Sequence, residues 1–334
     1  MNITFFEIES WQEDFFKKNL KKHKLTFVSS DLNERSVTKA KDSDMICVFI
    51  YSEVNGKILD KMPKLKAILT MSTGYDHIAV SECKKRGIKV LNVPSYGENT
   101  VAEHAFALIL SLSRKIPQSY LRTKSADFSL EGLRGFDLKD KTLGILGTGR
   151  IGSHVAKMAY GFDMKILATD RHQNADLIKN YKVKYVPLNT LLKNSDVVTI
   201  HVPYIKETHH LLNSKNIPLM KQGVYIINTA RGAIIDTSAL LKALQKKQIA
   251  GAGLDVLEEE EEIKDEKKLL PRQLKDEQIK QLMENHALLS YENVIITPHN
   301  AFNSKEALQR IMNTTLENIN SVIKGKEINV VEVR

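Results

Sequence analysis

The chain has 334 residues, more than one hydrophobic core usually organises, so we expect two domains. Hydrophobic residues make up 42% and charged residues 27%, which is ordinary for a soluble globular protein. The net charge of +9 is compatible with anionic cofactors and carboxylate substrates. The lysines are scattered, without a dense basic block interleaved with aromatics, which favours a solvated lysine-rich surface and argues against nucleic-acid binding.

The first ninety residues alternate short apolar runs with amphipathic stretches. Strands are predicted over residues 3–8, 25–28, 45–51, 67–71 and 89–92, and helices over 11–21 and 78–86. This βαβ alternation predicts a parallel sheet with helices on its faces. The first run lacks the basic segment and long apolar core of a signal peptide, so we interpret it as a strand.

A helix predicted over residues 98–115 is apolar almost all round, which indicates burial at a domain or subunit interface. It is too short for a membrane span, and no apolar run in the chain approaches the roughly 20 residues that a span needs. We therefore expect no membrane association.

The alternation resumes in the second half of the chain. Strands are predicted over residues 142–146, 164–168, 196–202, 224–228, 253–257 and 294–297, and helices over 153–160, 240–247 and 303–324. The segment 258–286 is rich in charge, and we expect a solvated excursion with one or two surface helices.

This order of elements predicts an α/β fold with two doubly wound parallel sheets. We expect the final helix to cross back to the first domain, which assigns residues 1–96 and 300–334 to a substrate domain and 97–299 to a dinucleotide-binding domain.

The dinucleotide site is predicted by a glycine-rich turn between a strand and a helix. Gly147, Gly149 and Gly152 complete a G-x-G-x-x-G pattern, in which the glycines allow a tight turn, approach of a pyrophosphate and close helix–strand packing. Asp170 stands 18 residues after Gly152, near the spacing of about 20 expected for a carboxylate that binds an adenosine ribose. A carboxylate there repels a 2′-phosphate, so NAD is favoured over NADP, although Arg171 could tolerate a phosphate.

Polar residues also follow several predicted strands, at the edge where open α/β sheets bind ligands. Such positions are occupied by an arginine, two carboxylates and two histidines: Arg231, Asp255, Glu260, His201 and His299. Hydride transfer between a nicotinamide and a secondary alcohol needs a proton donor or acceptor, and histidine suits this near neutral pH. A carboxylate would support its protonated form, and an arginine would hold a substrate carboxylate.

Other titratable residues are assigned no chemistry. His104 lies on the apolar helix, and His209 and His210 follow a predicted turn, so we expect none of them in catalysis. Cys47 and Cys83 lack the spacing of a metal site, so we expect no metal. Two cysteines without a disulfide framework favour a cytoplasmic protein.

In series, these motifs resemble those of the D-isomer-specific 2-hydroxyacid dehydrogenase family over nearly the whole chain. The resemblance is carried by the glycine turn, His201-Val-Pro203 with Thr208, Asn228-Thr-Ala-Arg231-Gly232, Gly253-Leu-Asp255-Val and Thr297-Pro-His299. It implies a Rossmann domain and a flavodoxin-like substrate domain with the active site in the cleft. It also makes Arg231, Glu260 and His299 the catalytic residues, with Glu260 chosen from five consecutive glutamates because it falls five residues after Asp255.

The resemblance implies further roles for individual residues. It implies that a loop in the first domain holds the substrate carboxylate with its backbone amides, and small residues after the predicted strand agree with this: Ser72, Thr73, Gly74 and Tyr75. Aromatic residues match positions that line a small substrate pocket: Tyr51, Tyr96 and Phe302. Residues implied to contact the cofactor, besides the glycines and Asp170, are Arg150, Ile151, His201, Val202, Pro203, Thr208, Thr229, Ala230 and Asp255.

Within the family the resemblance is greatest to D-lactate dehydrogenases, which implies reduction of pyruvate or a similar small 2-keto acid with NADH. Asn300 and Asn303 depart from the apolar and tyrosine residues usual there, and could admit a more polar 2-keto acid or cap the final helix. A hydroxypyruvate or glyoxylate reductase therefore stays open as an alternative. An NADH-responsive corepressor-like binding protein is a second alternative, because the resemblance includes relatives that act that way with similar catalytic residues. The family also implies a homodimer, with residues 101–113 near the interface.

Overall fold

The computed structural model describes residues 1–260 and 276–331, which form two compact units. Unit 1 comprises Met1–Gly97 and Asn303–Arg334, and unit 2 comprises Glu98–Phe302. Asn300 and Ala301, which the sequence analysis assigned to the first domain, donate backbone hydrogen bonds to the Asp255 carboxylate and belong to unit 2.

The secondary structure alternates strands and helices in both units. The strands are β1 Asn2–Phe6, β2 Lys24–Val28, β3 Met45–Val48, β4 Ala67–Thr70, β5 Lys89–Leu91, β6 Thr142–Leu146, β7 Lys165–Thr169, β8 Lys184–Tyr185, β9 Val197–Ile200, β10 Val224–Asn228, β11 Ile249–Leu254 and β12 Val294–Ile296. The helices are α1 Ser10–Asn19, α2 Gly56–Asp60, α3 Val80–Lys85, α4 Glu98–Ser113, α5 Ile116–Lys124, α6 Arg150–Gly161, α7 Ala175–Tyr181, α8 Leu188–Asn194, α9 Thr237–Gln245, α10 Asp276–Leu289 and α11 Lys305–Ile323.

Unit 1 is built on a five-stranded parallel sheet in the order β2-β1-β3-β4-β5. Both faces of its central strands are buried, because Ile46 and Ile68 pack on one side and Cys47 and Leu69 on the other. Helix α11 covers the second face through Met312, among others, so the end of the chain completes the core of unit 1. The predicted crossing of the final helix to the first domain agrees with this packing.

Unit 2 is built on a seven-stranded parallel sheet in the order β12-β11-β10-β9-β6-β7-β8. Helix α4 packs on one face of this sheet so closely that a Cβ on Gly253 would lie 2.9 Å from the Cβ of Leu108. Ala105, Leu108 and Ile109 are buried in the core of unit 2, so the apolar character of α4 is explained within its own unit.

Some predicted element boundaries were wrong. The helix expected over 98–115 ends at Ser113, and α5 begins after Lys115, which has a φ of 51°. The strand expected over 253–257 is β11, which begins at Ile249 and ends at Leu254. The strand expected over 45–51 ends at Val48, because the amides that follow bond to a side chain rather than to the sheet.

Of the charged excursion, residues 258–260 and the segment from Asp276, where α10 begins, are described, and residues 261–275 lie outside the described part. No helix among the described residues is long and apolar enough to cross a membrane. Within the same residues, no group of three or more His, Cys, Asp or Glu side chains could hold a metal ion.

Candidate active site

The glycine-rich turn joins β6 to α6, and its shape depends on two of the glycines. Gly147 has a φ of 91°, and a Cβ there would lie 2.8 Å from the carbonyl oxygen of His201. A Cβ on Gly152 would lie 2.0 Å from the carbonyl oxygen of Gly147. The Cβ position of Gly149, by contrast, has no neighbouring atom within 4 Å, which leaves open space at the N-terminus of α6. The turn therefore fits a dinucleotide pyrophosphate.

Asp170 directly follows β7 and is tied to this turn. One carboxylate oxygen accepts from the Thr148 amide at 2.6 Å and from the Thr148 hydroxyl at 3.0 Å, and the other accepts from the His172 amide at 3.1 Å. Burial by itself raises the pKa of Asp170, but these hydrogen bonds bring it below its usual value. The result is a fixed negative charge beside the glycine turn, as an NAD ribose requires.

The segment after β9 carries the predicted cofactor residues from His201 to Thr208. Burial lowers the pKa of His201 to about 3, so its ring is neutral, and its Nε2 lies 2.8 Å from the Thr199 hydroxyl. The Thr208 hydroxyl donates to the Pro203 carbonyl at 2.7 Å and closes the turn between them. Val202 lies against Gly147, so this segment forms a wall of the glycine turn.

The segment after β10 forms a tight turn that contains three of the predicted site residues, Thr229, Ala230 and Arg231. The side chain of Asn228 holds this turn: its Oδ1 accepts from the backbone N–H of Ala230 at 3.0 Å, and its Nδ2 donates to the backbone carbonyl of Arg231 at 2.9 Å. The Thr229 hydroxyl oxygen is buried and has no partner among the described residues, so a ligand can bond to it. A Cβ on Gly232 would lie 2.0 Å from the Leu257 carbonyl carbon, so Arg231 sits directly beside the segment that leads to Glu260.

The structure brings Glu260 and His299 into contact. Nδ1 of His299 lies 2.5 Å from Oε1 of Glu260, and the two side chains are 17% and 20% exposed. No residue within the described ranges bonds to Nε2 of His299, so that nitrogen is available to a substrate. Glu260 thus differs in its surroundings from Glu258, whose Oε1 lies 2.6 Å from Nε2 of His210.

Asp255 organises the loop that carries His299. Its buried carboxylate accepts from the Thr297 hydroxyl at 2.5 Å, from the Asn300 amide at 3.0 Å and from the Ala301 amide at 2.9 Å. His299 has a φ of 54°, a conformation that costs of order 1–3 kcal/mol for a residue other than glycine. Hydrogen bonds on both sides of His299 hold it in that conformation.

His104, assigned no chemistry from the sequence, reaches this loop from α4. Its Nε2 lies 3.1 Å from the Thr297 hydroxyl and 3.5 Å from Oδ1 of Asp255. The sequence carries no signal for this contact, because its partners are far along the chain and only the packing of α4 on the sheet joins them.

In unit 1, the predicted carboxylate loop follows β4. The Ser72 hydroxyl donates to the Gly74 carbonyl at 2.6 Å, and the Thr73 hydroxyl donates to the Val93 carbonyl at 2.8 Å, so the side chains shape the loop. Among the described residues, the backbone amides of Thr73, Gly74 and Tyr75 donate to no acceptor. Three consecutive bare amides are a suitable anion site.

The predicted pocket aromatics are divided between the units. Tyr51 follows β3 and Tyr96 precedes α4, both in unit 1, whereas Phe302 is the last residue of unit 2. All three are half-buried. The carbonyl of Tyr96 accepts from Nε of Arg310 on α11 at 2.5 Å.

Residues 106–301 match the family model described as "D-isomer specific 2-hydroxyacid dehydrogenase, NAD binding domain". The chain belongs to this family. The match spans the glycine turn, Arg231, Glu260 and His299, all of which lie in unit 2. The protein is therefore an NAD-dependent oxidoreductase that acts on CH–OH groups.

Individual relatives and structures agree with this assignment. D-lactate dehydrogenase of Escherichia coli is 37% identical over 304 residues, covering 90% of both chains. Glyoxylate reductase of Thermofilum pendens is 38% identical over 300 residues, covering 88% of this chain and 82% of that protein. The crystal structure of Aquifex aeolicus D-lactate dehydrogenase complexed with NAD and lactic acid is similar, with a TM-score of 0.88 and 40% identity over 97% of this chain and 96% of that one.

The cofactor of this family member is NAD, and residues of unit 2 fit it. The open space at Gly149, the fixed charge of Asp170 and the buried, unpartnered Thr229 hydroxyl supply room, a ribose acceptor and a polar contact. Arg150 and Ile151 lie in the first turn of α6, beside the space for the pyrophosphate.

Proposed function

We propose that this dehydrogenase reduces pyruvate, or a similar small 2-keto acid, to the D-2-hydroxy acid with NADH. The observation that carries the proposal is the contact of His299 with Glu260 at 2.5 Å, which leaves the second ring nitrogen for a substrate. The D-lactate dehydrogenases among the similar proteins favour pyruvate as the substrate.

His299 is the proton donor in this reaction. In its protonated form it donates from Nε2 to the keto oxygen, while Nδ1–H stays bonded to Glu260, whose negative charge supports the imidazolium. Bound NADH supplies the hydride that reduces the carbonyl carbon. In the reverse direction, neutral His299 accepts the hydroxyl proton at Nε2.

The substrate carboxylate is bound in this proposal by Arg231 and by the loop of residues 72–75, which we call the amide-bearing loop. The Arg231 guanidinium offers a planar set of donors, and its backbone is fixed by Asn228. The loop of Ser72, Thr73, Gly74 and Tyr75 is supported as an anion site by its three bare amides.

The pocket aromatics Tyr51, Tyr96 and Phe302 favour a small substrate side chain.

A second candidate, reduction of glyoxylate or hydroxypyruvate, is favoured by the glyoxylate reductases among the relatives. The polar Asn300 suits the hydroxyl of hydroxypyruvate, so the two candidates predict different substrate orders.

A panel assay with NADH separates these candidates. Pyruvate, 2-ketobutyrate, phenylpyruvate, hydroxypyruvate and glyoxylate are compared by kcat/KM, and pyruvate is expected to rank first. A first rank for glyoxylate or hydroxypyruvate would replace the lactate proposal. Turnover of none of the five would contradict both candidates.

We also propose a homodimer, supported by exposed apolar side chains on α5 and the loop after it. These are Ile116, Tyr120, Leu121, Phe128 and Leu130, with exposed fractions between 54% and 83%. Most side chains of residues 101–113, where the interface was expected, are buried within unit 2, so the surface for a second copy lies on the following segment.

The free, buried Cys47 and Cys83 support a cytoplasmic location.

A further inference from the structure

The carboxylate of Glu7 interrupts the strand before Tyr51. The apolar run from residue 45 to 51 has the pattern of a single strand, but β3 ends at Val48. The Phe49 amide donates to Oε2 of Glu7 at 3.0 Å and the Tyr51 amide donates to Oε1 at 2.8 Å. The Ser52 hydroxyl also donates to Oε2. These bonds draw the chain away from the sheet immediately after Val48.

Glu7 links the ends of three adjacent strands, β2, β1 and β3, through its backbone amide and its carboxylate. Glu7 has a φ of 56°, and its amide donates to the Ser30 carbonyl in the loop after β2 at 3.1 Å. The Ser52 hydroxyl, which donates to Glu7, accepts from the Leu32 amide at 2.9 Å, and both Ser52 and Leu32 are fully buried. Glu7, through its backbone amide, its carboxylate and the bound Ser52 hydroxyl, therefore joins the loops after β1, β2 and β3 at the carboxyl edge of the sheet.

The Glu7 carboxylate is half-buried and, in the described part of the chain, is stabilised without a cationic partner. Burial raises the pKa of Glu7, and the nearby Asp31 acts in the same direction, while the three donors act against them. Within the described residues, no lysine, arginine or histidine side chain pairs with it. Partial withdrawal of a carboxylate from water is costly without such a partner, so its stabilisation comes from the backbone amides that it holds.

The segment held by Glu7 runs beside the amide-bearing loop of unit 1. Val48 is paired with Thr70, and the Met71 amide donates to the Val48 carbonyl at 2.8 Å. Further along, Val54 pairs with Ile78. Tyr51 and the bare amides of Thr73, Gly74 and Tyr75 therefore belong to neighbouring segments at one sheet edge.

We propose that Glu7 is a positioning residue for substrate selection: by holding the Tyr51 backbone, it fixes the aromatic side chain that limits the size of the substrate. This inference rests on the proposed function, in which Tyr51 lies against the substrate side chain. It assigns Glu7 no contact with the substrate or the cofactor.

Glutamine cannot replace Glu7 without loss of a backbone hydrogen bond. The two carboxylate oxygens each accept from a backbone amide, Phe49 on Oε2 and Tyr51 on Oε1. In a Glu7→Gln variant, the side-chain NH₂ must face one of these two N–H groups in either orientation of the amide. One backbone hydrogen bond is lost, and the segment of Tyr51 loses its fixed conformation.

The test compares Glu7→Gln with a Glu9→Gln control, because Glu9 is an exposed carboxylate two residues away that bonds to Trp11. For each protein, kcat and KM are measured with pyruvate and with phenylpyruvate, together with the Kd of NADH and the melting temperature. In Glu7→Gln, KM for pyruvate is expected to rise about tenfold and the preference for pyruvate to fall by a similar factor, as loss of one charge-assisted hydrogen bond implies. The Kd of NADH should not change, and Glu9→Gln should match the wild type.

Ser52→Ala supplies a second variant, because it keeps Glu7 and removes the hydroxyl that donates to its carboxylate and accepts from the Leu32 amide. It should shift the same preference in the same direction by about threefold. An unchanged preference in the folded variants, or a parallel loss of kcat and NADH affinity, would overturn the role of Glu7. If instead the wild-type protein reduces none of the 2-keto acids, the proposed function fails, and this inference fails with it.

Discussion

Replacement of Glu260 by glutamine removes the negative charge 2.5 Å from Nδ1 of His299 but keeps a hydrogen-bond acceptor there. Both side chains are largely buried, so solvent screens the pair only weakly. A hydrogen bond to a charged partner contributes about 1.5–3 kcal/mol, and we expect a loss near the lower end of this range because glutamine still accepts from Nδ1–H. At about 1.4 kcal/mol per tenfold in rate, kcat should fall about 10- to 30-fold.

The acidic run offers a matched control for this variant. Glu259 is the exposed neighbour of Glu260, and a Glu259→Gln variant removes the same charge from the same run. Pre-steady-state reduction of pyruvate at pH 7 measures the chemical step, and fluorescence titration measures the Kd of NADH. Glu260→Gln should lower the rate with little change in the Kd of NADH, and Glu259→Gln should change neither. Equal losses in both variants would refute the assignment of Glu260.

Three further predictions concern stability, cofactor choice and assembly. Because burial lowers the pKa of His201 to about 3, the unfolded chain binds a proton that the folded chain does not between pH 6.5 and 3. As the pH is lowered through that range, the free energy of unfolding of the wild type should therefore decrease by up to about 1.4 kcal/mol per pH unit more than that of His201→Gln. Urea unfolding at pH 6.5 and pH 5 measures this difference, and equal decreases in the two proteins would contradict it. Asp170→Ala should narrow the preference for NADH over NADPH in kcat/KM, and an unchanged ratio would mean that another residue selects the cofactor. Phe128→Glu, at a side chain that is 79% exposed, should give monomers by light scattering, whereas a monomeric wild type would contradict the dimer.

The sequence was most informative where function depends on local backbone. The tight turn at Gly147 and the close packing at Gly152 are properties of a few adjacent residues, so the motif predicted them and the structure has them. Placement of polar residues after parallel strands was equally predictable, because strand direction alone brings Arg231 and Asp255 to one sheet edge.

Long-range contacts were the part that could not be predicted from the residues alone. In a run of identical glutamates, composition cannot distinguish Glu258 from Glu260, and the resemblance to the family supplied the choice. The structure pairs Glu258 with His210 and Glu260 with His299. The early end of β3 was missed for the same reason, because its cause is Glu7, about 40 residues earlier in the chain.

The sequence by itself determined the α/β class, the dinucleotide turn and the types of residue available for proton transfer and carboxylate binding, since these follow from periodicity, glycine placement and strand order. Only the tertiary structure decided that Asp255 and His104 meet at the His299 loop and that Glu7 holds the segment of Tyr51. Each of these contacts joins residues far apart in the chain, and the packing of strands and helices brings them together.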